Sequence, residues 1–284
     1  MISYEQFYKE LSEASRDERV FYFERDFFAW WLYYFLDDFT HPLADFHFDW
    51  IRTLEKTHKN ILIKGFRGSI KTTMIVAWLT YGICYKKFKF LIWQSFGSAS
   101  SARMTKQIAM NLLFNKKLQA DYGELYTLKG SREEMESKSI GDFDTKNGIK
   151  VMSASLGEKI RGAISRKNRP DMLVLDDIDV SDSVRNPEII QKNYDKITGE
   201  TIGALNKEYA RIIFLGNVIT NDGIVPRFEN EKKNDKNWEI FVQPLYNADG
   251  SVAWDYFTNE MIEKIKSNEG SGFKPNYLLE PITE

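Results

Sequence analysis

Ile61-Leu-Ile-Lys-Gly-Phe-Arg-Gly-Ser-Ile-Lys-Thr-Thr73 is the stretch whose reading decides the fold. A β-rich run ends in a glycine-containing turn, and Lys71-Thr72-Thr73 opens a segment, Met74 to Tyr81, with the composition of a helix. Strand, turn and helix N-terminus in that order cradle a triphosphate, because the first N–H groups of a helix are unpaired and its dipole favours an anion. Gly65 stands six residues before Lys71, as the pattern G-x-x-x-x-G-K-[ST] requires, but Ile70 replaces the second glycine. Isoleucine fits there if position 70 has already adopted helical φ/ψ, where a β-branched residue is allowed. Gly68 is then expected to carry the unusual backbone conformation. On this reading Lys71 reaches the β- and γ-phosphates, Thr72 ligates Mg²⁺, and the turn through Phe66, Arg67, Gly68, Ser69 and Ile70 to Thr73 supplies inward-facing N–H groups. An ordinary strand-turn-helix with a chance Lys-Thr is the competing reading.

Composition narrows the classes. The chain has 284 residues, enough for one large or two modest domains, with 43% apolar and 28% charged residues, an ordinary globular balance. A net charge of −2 argues against coating nucleic acid by bulk electrostatics, although it leaves room for a local basic face. The single cysteine, Cys84, excludes an internal disulfide framework, and three dispersed histidines argue against a structural zinc site. Met1 to Arg19 is polar and mixed in charge, unlike a secretory signal. The strongest apolar run, Phe27 to Leu36, is half of the ~20 residues that span a bilayer, so a buried helix is expected and no membrane segment.

Along the chain, Tyr4, Phe7 and Leu11 predict a short amphipathic helix over 3–15, and 20–36 a second, aromatic one packed on the main domain. Thr40 to Ile51 reads as a turn running into a helix that ends near His58. Strands are expected at Phe88–Gln94, Ile149–Ala154, Met172–Leu175, Arg211–Leu215 and Trp238–Pro244, and helices at Ser98–Phe114, Pro187–Leu205 and Asn259–Lys266. Residues 115–140 read as irregular or partly helical, 229–237 as a surface loop and Ser267–Gly272 as a flexible link. Strands separated by helices imply βαβ units and an α/β fold with a mostly parallel sheet, which places ligands at the carboxyl ends of its strands.

The acidic pair settles the reading of the glycine loop. Met172-Leu-Val-Leu-Asp-Asp177 is an apolar strand that ends in two carboxylates, as Mg²⁺-assisted hydrolysis needs. Asp176 is assigned to the metal and Asp177 to the attacking water. Ile212 to Thr220 is another apolar strand, ending in Gly216, Asn217 and Thr220, of which Asn217 and Thr220 can sense the γ-phosphate from a neighbouring strand tip. A plain strand end is the bland alternative.

These residues together resemble the ATPase half of the large terminase subunit of tailed bacteriophages, the motor that packages DNA into procapsids. Arg67-Gly-Ser-Ile-Lys-Thr72, Lys159-Ile-Arg-Gly162, Arg169-Pro-Asp171 with Leu173–Asp179, Val184–Glu188, Gly216–Thr220 and Phe273–Pro281 are similar to successive motifs of that family. The resemblance implies a P-loop NTPase of the ASCE/RecA-like type, a mostly parallel central β-sheet flanked by helices. It implies an N-terminal helical region over 1–58, an ATPase core over 59–228, and an end with a hinge over 229–284, leading toward a nuclease domain that this chain lacks. It further implies ATP and Mg²⁺ as cofactors, double-stranded DNA, a portal or procapsid and a small terminase subunit as partners, a homo-oligomeric ring, and the host cytoplasm as location. Phe46 or His47 is expected at the adenine, Asp45 serving equally well as a helix cap. Arg161 is the candidate finger for a neighbouring subunit, with Arg166 and Arg169 as rivals, and Arg67 can switch between phosphate and carboxylate. Gly216, Asn217 and Thr220 fall in the place of the coupling motif.

Overall fold

Six parallel strands set the frame, and they occur where apolar runs are bounded by turns. The computed structural model describes residues 3–127, 141–158, 160, 162–165, 167–180 and 186–281. The strands are β1 (Asn60–Gly65), β2 (Phe90–Ser95), β3 (Phe143–Asp144), β4 (Lys150–Ser155), β5 (Met172–Asp176), β6 (Arg211–Gly216) and β7 (Trp238–Gln243). They form one sheet in the order β3-β4-β2-β5-β6-β1-β7, in which only the short β3 runs antiparallel. Register pairs Ile61 with Ile213 on one side of β1 and with Glu239 on the other. β6 thus separates β1, which enters the glycine loop, from β5, which ends in the acidic pair.

Helices cover both faces, so the central strands are apolar on both sides, as parallel strands require. Ile61, Ile63, Val174 and Leu215 pack into one core, and Leu62, Leu173, Leu175 and Phe214 into the other. The first core also takes up α1 (Tyr4–Glu13), α2 (Arg16–Phe23), α3 (Phe27–Tyr34), α4 (Asp45–Lys56), α5 (Lys71–Cys84), α6 (Ser98–Phe114) and α7 (Lys116–Tyr122). The second lies under α8 (Pro187–Asp195) and α9 (Ile224–Lys232), while α10 (Asn259–Glu269) returns to the first. α5 is buried from Met74 to Ile83, as a helix apolar all round must be. No helix among the described residues is long and apolar enough to cross a membrane.

Several expected elements differ. The aromatic helix over 20–36 is two helices, because the Asp26 side chain accepts the Ala29 N–H and starts α3 afresh. The segment expected as a loop over 229–237 begins inside α9, whose apolar residues Ile224, Val225 and Phe228 are buried. The expected link at 267–272 starts inside α10, whose last residue, Glu269, is anchored by Asn276 and Tyr277. The helix expected to Leu205 loosens into a π-helical turn at Lys196–Thr201.

Candidate active site at three strand ends

The order β5-β6-β1 puts three strand ends side by side. Lys64 pairs with Gly216, and Asp176 pairs with Leu215, so the tips of β1, β6 and β5 are level.

The loop after β1 is held from outside itself. The Phe66 N–H donates to Gln243 O at 3.0 Å and the Arg67 N–H to Asn276 O at 2.7 Å. Gly68 has φ +85°, and a Cβ there would lie 3.0 Å from the Phe257 ring, so position 68 is glycine on both counts. Ile70 departs from expectation: it is not helical but left-handed, with φ 52° and ψ 15°. It therefore adopts a backbone conformation that ordinarily favours glycine. That conformation costs ~1–2 kcal/mol for an L-residue, offset by packing of its side chain on the first core.

His47 occupies a different place from the one expected. It is 0% exposed, its Nδ1 accepts the Ala44 N–H at 3.0 Å, and its Nε2 lies 3.2 Å from Ser69 O. The first bond leaves the proton on Nε2, so the ring is neutral, caps the start of α4 and clamps the glycine loop. Burial pushes its pKa down to about 4, against smaller upward contributions from its bonds to Ser69 and Ala44. Neither nitrogen is left for a base. Phe46, buried against Phe66, and Asp45 instead wall a cavity of about 550 Å³ with His41, Gln243, Asn247 and Trp254. No sequence signal singles out Gln243 and Trp254, since they lie nearly two hundred residues beyond the loop they border.

At the start of α5, the Thr72 side chain faces the Asp176 carboxylate and favours its charged form. Asp176 is 5% exposed, and burial together with the charge of Asp177 raises its pKa to about 7, opposed by Lys71. Burial pulls the Lys71 ammonium below its ordinary range, opposed by Asp176 and Asp177 and reinforced by Arg67. Burial disfavours the charged form of both groups, and each group's charge favours the charged form of the other. Asp177 is exposed and also left-handed, with φ 49°, and its carbonyl accepts the Phe96 N–H at 3.2 Å.

Among the described residues, Ser69 Oγ, Asn217 Oδ1 and Thr220 Oγ1 are buried without a hydrogen-bond partner, an arrangement that costs ~1–3 kcal/mol per group unless a ligand completes it. Gly216 lies against α9, where a Cβ would come within 2.6 Å of Val225. Asp179 accepts the Ile224 and Val225 N–H groups at 3.0 and 2.9 Å and so caps α9. Arg161 and Arg166 lie outside the described residues; Arg169 is exposed beside Gly162 and Ile164. Thr73 follows Thr72 in the first turn of α5.

By sequence the chain matches no protein-family model and no curated protein. By structure it is similar to the large terminase of bacteriophage HK97, at a TM-score of 0.55 and 13% identity over 84% of this chain and 50% of that one. It is similar also to the large terminase of a thermophilic bacteriophage in complex with ATP-gamma-S, at a TM-score of 0.52 and 11% identity over 83% of this chain and 52% of that one. The chain thus spans about half the length of these structures. Its fold, a mostly parallel seven-stranded sheet flanked by helices, resembles about half of a phage large terminase.

Proposed function

We propose that the chain hydrolyses ATP with Mg²⁺ and couples that reaction to movement of double-stranded DNA, as the ATPase part of a genome-packaging motor. The observation that carries this reading is the level placing of three strand ends in the order β5-β6-β1: Asp176 ends β5, Asp177 follows it, and Lys71 and Thr72 open α5 beyond β1. The base enters the cavity walled by Phe46, Gln243 and Trp254. The phosphates lie along the loop at the N-terminus of α5, where the first N–H groups of the helix, Lys71 and Ser69 Oγ meet them. Thr72 and Asp176 would hold Mg²⁺, which supplies charge neutralisation at the β- and γ-oxygens. Asp177 orients the attacking water and receives its proton. Loss of the γ-phosphate is read by Asn217 and Thr220, whose buried Oδ1 and Oγ1 have no partner among the described residues. Arg161 is the finger offered to a neighbouring subunit in a ring, with Arg169 as its exposed rival. Such a finger contributes ~10³–10⁵ in rate, so the isolated chain is expected to be a slow ATPase. A portal or procapsid and a small terminase subunit complete the assembly.

The test is Asp177→Asn. Removing a general base costs ~10²–10⁴ in turnover and leaves ground-state binding alone. Affinity for a fluorescent ATP analogue should stay within about twofold, while phosphate release falls at least ~100-fold. Unchanged phosphate release refutes the assignment.

A further inference from the structure

The near-neutral total hides a strong asymmetry between the two edges of the sheet. The carboxyl edge holds the nucleotide-site residues. The opposite edge is formed by the segments that feed the six parallel strands, 55–59, 85–89, 145–149, 167–171, 206–210 and 233–237. Those segments contain eleven lysines and arginines against four acids, in a chain where acids outnumber bases by 41 to 39. The five residues after each of the same strands contain two bases and three acids. The charge is therefore sorted by edge.

Two of the four acids on the basic edge are occupied by the backbone. The Glu55 carboxylate accepts the Phe27 N–H. Asp171 accepts the Lys89 and Phe90 N–H groups at 2.8–3.0 Å. Lys59 and Lys146 have carboxylate partners, each at 2.9 Å. Lys56, Lys86, Lys87, Lys89, Lys207 and Lys236 are exposed, and none forms an ion pair with a described residue. Lys89 and Lys87 instead lie over the rings of Tyr209 and Tyr81, at 5.8 and 4.9 Å. A cavity of about 410 Å³ opens on the same edge between Arg25, His58, Lys87 and Tyr209, with Glu24 and Glu55 in its wall.

The geometry points to this edge as a docking surface for the phosphate backbone of duplex nucleic acid, an inference that rests on the proposed motor function and gives it a contact surface. Six strands at ~4.8 Å spacing place the cations in a row ~24 Å long. A duplex carries one charge per ~1.7 Å of axis, so the row spans about seven base pairs. The cations are lysines, flexible point charges that neutralise phosphate without reading bases, so binding is independent of sequence. The edge is also wired to the nucleotide loop. α5 begins at Lys71, runs ~21 Å and delivers the turn that bears Lys86, Lys87 and Lys89. One buried helix joins the phosphate loop to the cationic turn.

The experiment measures binding of a mixed-sequence 30-base-pair duplex by fluorescence anisotropy across a salt series. It compares the wild-type chain with Lys86→Glu/Lys89→Glu/Lys207→Glu and with the charge-matched control Lys9→Glu/Lys192→Glu/Lys264→Glu, drawn from exposed lysines elsewhere. The edge variant should bind at least ~10-fold more weakly near 100 mM salt and lose ~3 from the slope of log K against log salt, while the control shifts less than ~3-fold. Single Lys86→Ala and Lys207→Ala variants, too mild to unfold the chain, should each lower the slope by ~1. Equal weakening in edge variant and control overturns the inference, as does an unchanged slope in the single variants. Displacement of the duplex by polyglutamate of equal charge also overturns it, since the surface would then be one for an acidic protein. DNA-independent ATP turnover, read in the same preparations, separates the two readings. A wild-type chain that hydrolyses ATP without binding the duplex sinks the surface alone, whereas one that binds it through these lysines without hydrolysis sinks the ATPase reading alone.

Discussion

Ile70, Asp177 and His47 each hold a state that their residue type resists. Ile70 and Asp177 have positive φ at the two ends of the site, where the phosphate loop and the acidic strand turn sharply. Such strain persists only where surrounding contacts over-determine it, and it gathers at sites that must be preorganised. His47 carries its cost as a suppressed proton affinity. Its pKa in the fold is about 4, below the ordinary 6.5, so the unfolded chain binds the proton more readily between those values. By linkage, stability contributed by the neutral ring is present above pH ~6.5 and is lost as pH falls toward 4, up to about 3 kcal/mol. Asp176 has the opposite sign: its raised pKa favours the fold as pH falls through about 7. The wild-type curve alone mixes the two. Subtracting the curve of His47→Phe isolates the histidine, and denaturant unfolding from pH 7 to 4 should show wild type losing ~2–3 kcal/mol more than the variant. Parallel curves rule out the buried neutral ring.

At the scale of elements, α9 depends on a carboxylate from another strand's end. Asp179, just past β5, accepts the first two N–H groups of α9, and the Gly223 N–H donates back to Thr220 O at 3.4 Å. The acidic strand, the Asn217–Thr220 tip and the helix behind it are therefore one mechanical unit. Asp179→Ala removes a cap and leaves two buried donors unpaired. It should cost ~1–3 kcal/mol in chemical denaturation and lower ATP turnover more than ATP affinity. A denaturation midpoint equal to wild type would show that the cap is dispensable. The same dependence explains what is legible in the sequence. The central strands, α5 and the glycine loop are readable because their signals are local: apolar runs, turn residues and fixed spacing. The start of α9 is not, because its cap is supplied from about forty-five residues upstream and the charged run 229–237 outweighs Ile224, Val225 and Phe228. Ile70 escapes for a related reason. Local rules place a β-branched residue at negative φ, and only tertiary contacts overrule them. The sequence places His47 near the nucleotide, but its two hydrogen bonds, invisible in sequence, turn it inward to the loop.

Across the whole molecule, the phosphate loop is bracketed by the far end of the chain. Arg67 donates its N–H to Asn276 O and reaches Glu269 Oε1 at 3.4 Å, while Glu269 also accepts from the Asn276 side chain at 3.0 Å and the Tyr277 hydroxyl at 3.2 Å. Phe257 closes over Gly68. The Arg67 side chain is 56% exposed, so its pairing with Glu269 contributes well under ~1 kcal/mol to stability. It nevertheless determines which anion Arg67 faces. On the proposed function, a triphosphate in the loop would compete with Glu269 for the guanidinium, and the better partner is the one with more charge and more acceptor oxygens. Glu269→Gln keeps the shape and the bond from Tyr277 but withdraws the competing charge. It should tighten ATP up to about fivefold, corresponding to ~1 kcal/mol, with melting temperature nearly unchanged. Arg67→Ala should weaken ATP by a similar factor, and in the double variant the Glu269 effect should vanish, because the carboxylate acts only through the arginine. Fluorescent-nucleotide titration of the four proteins closes the cycle; an additive double variant would show that Glu269 and Arg67 act independently.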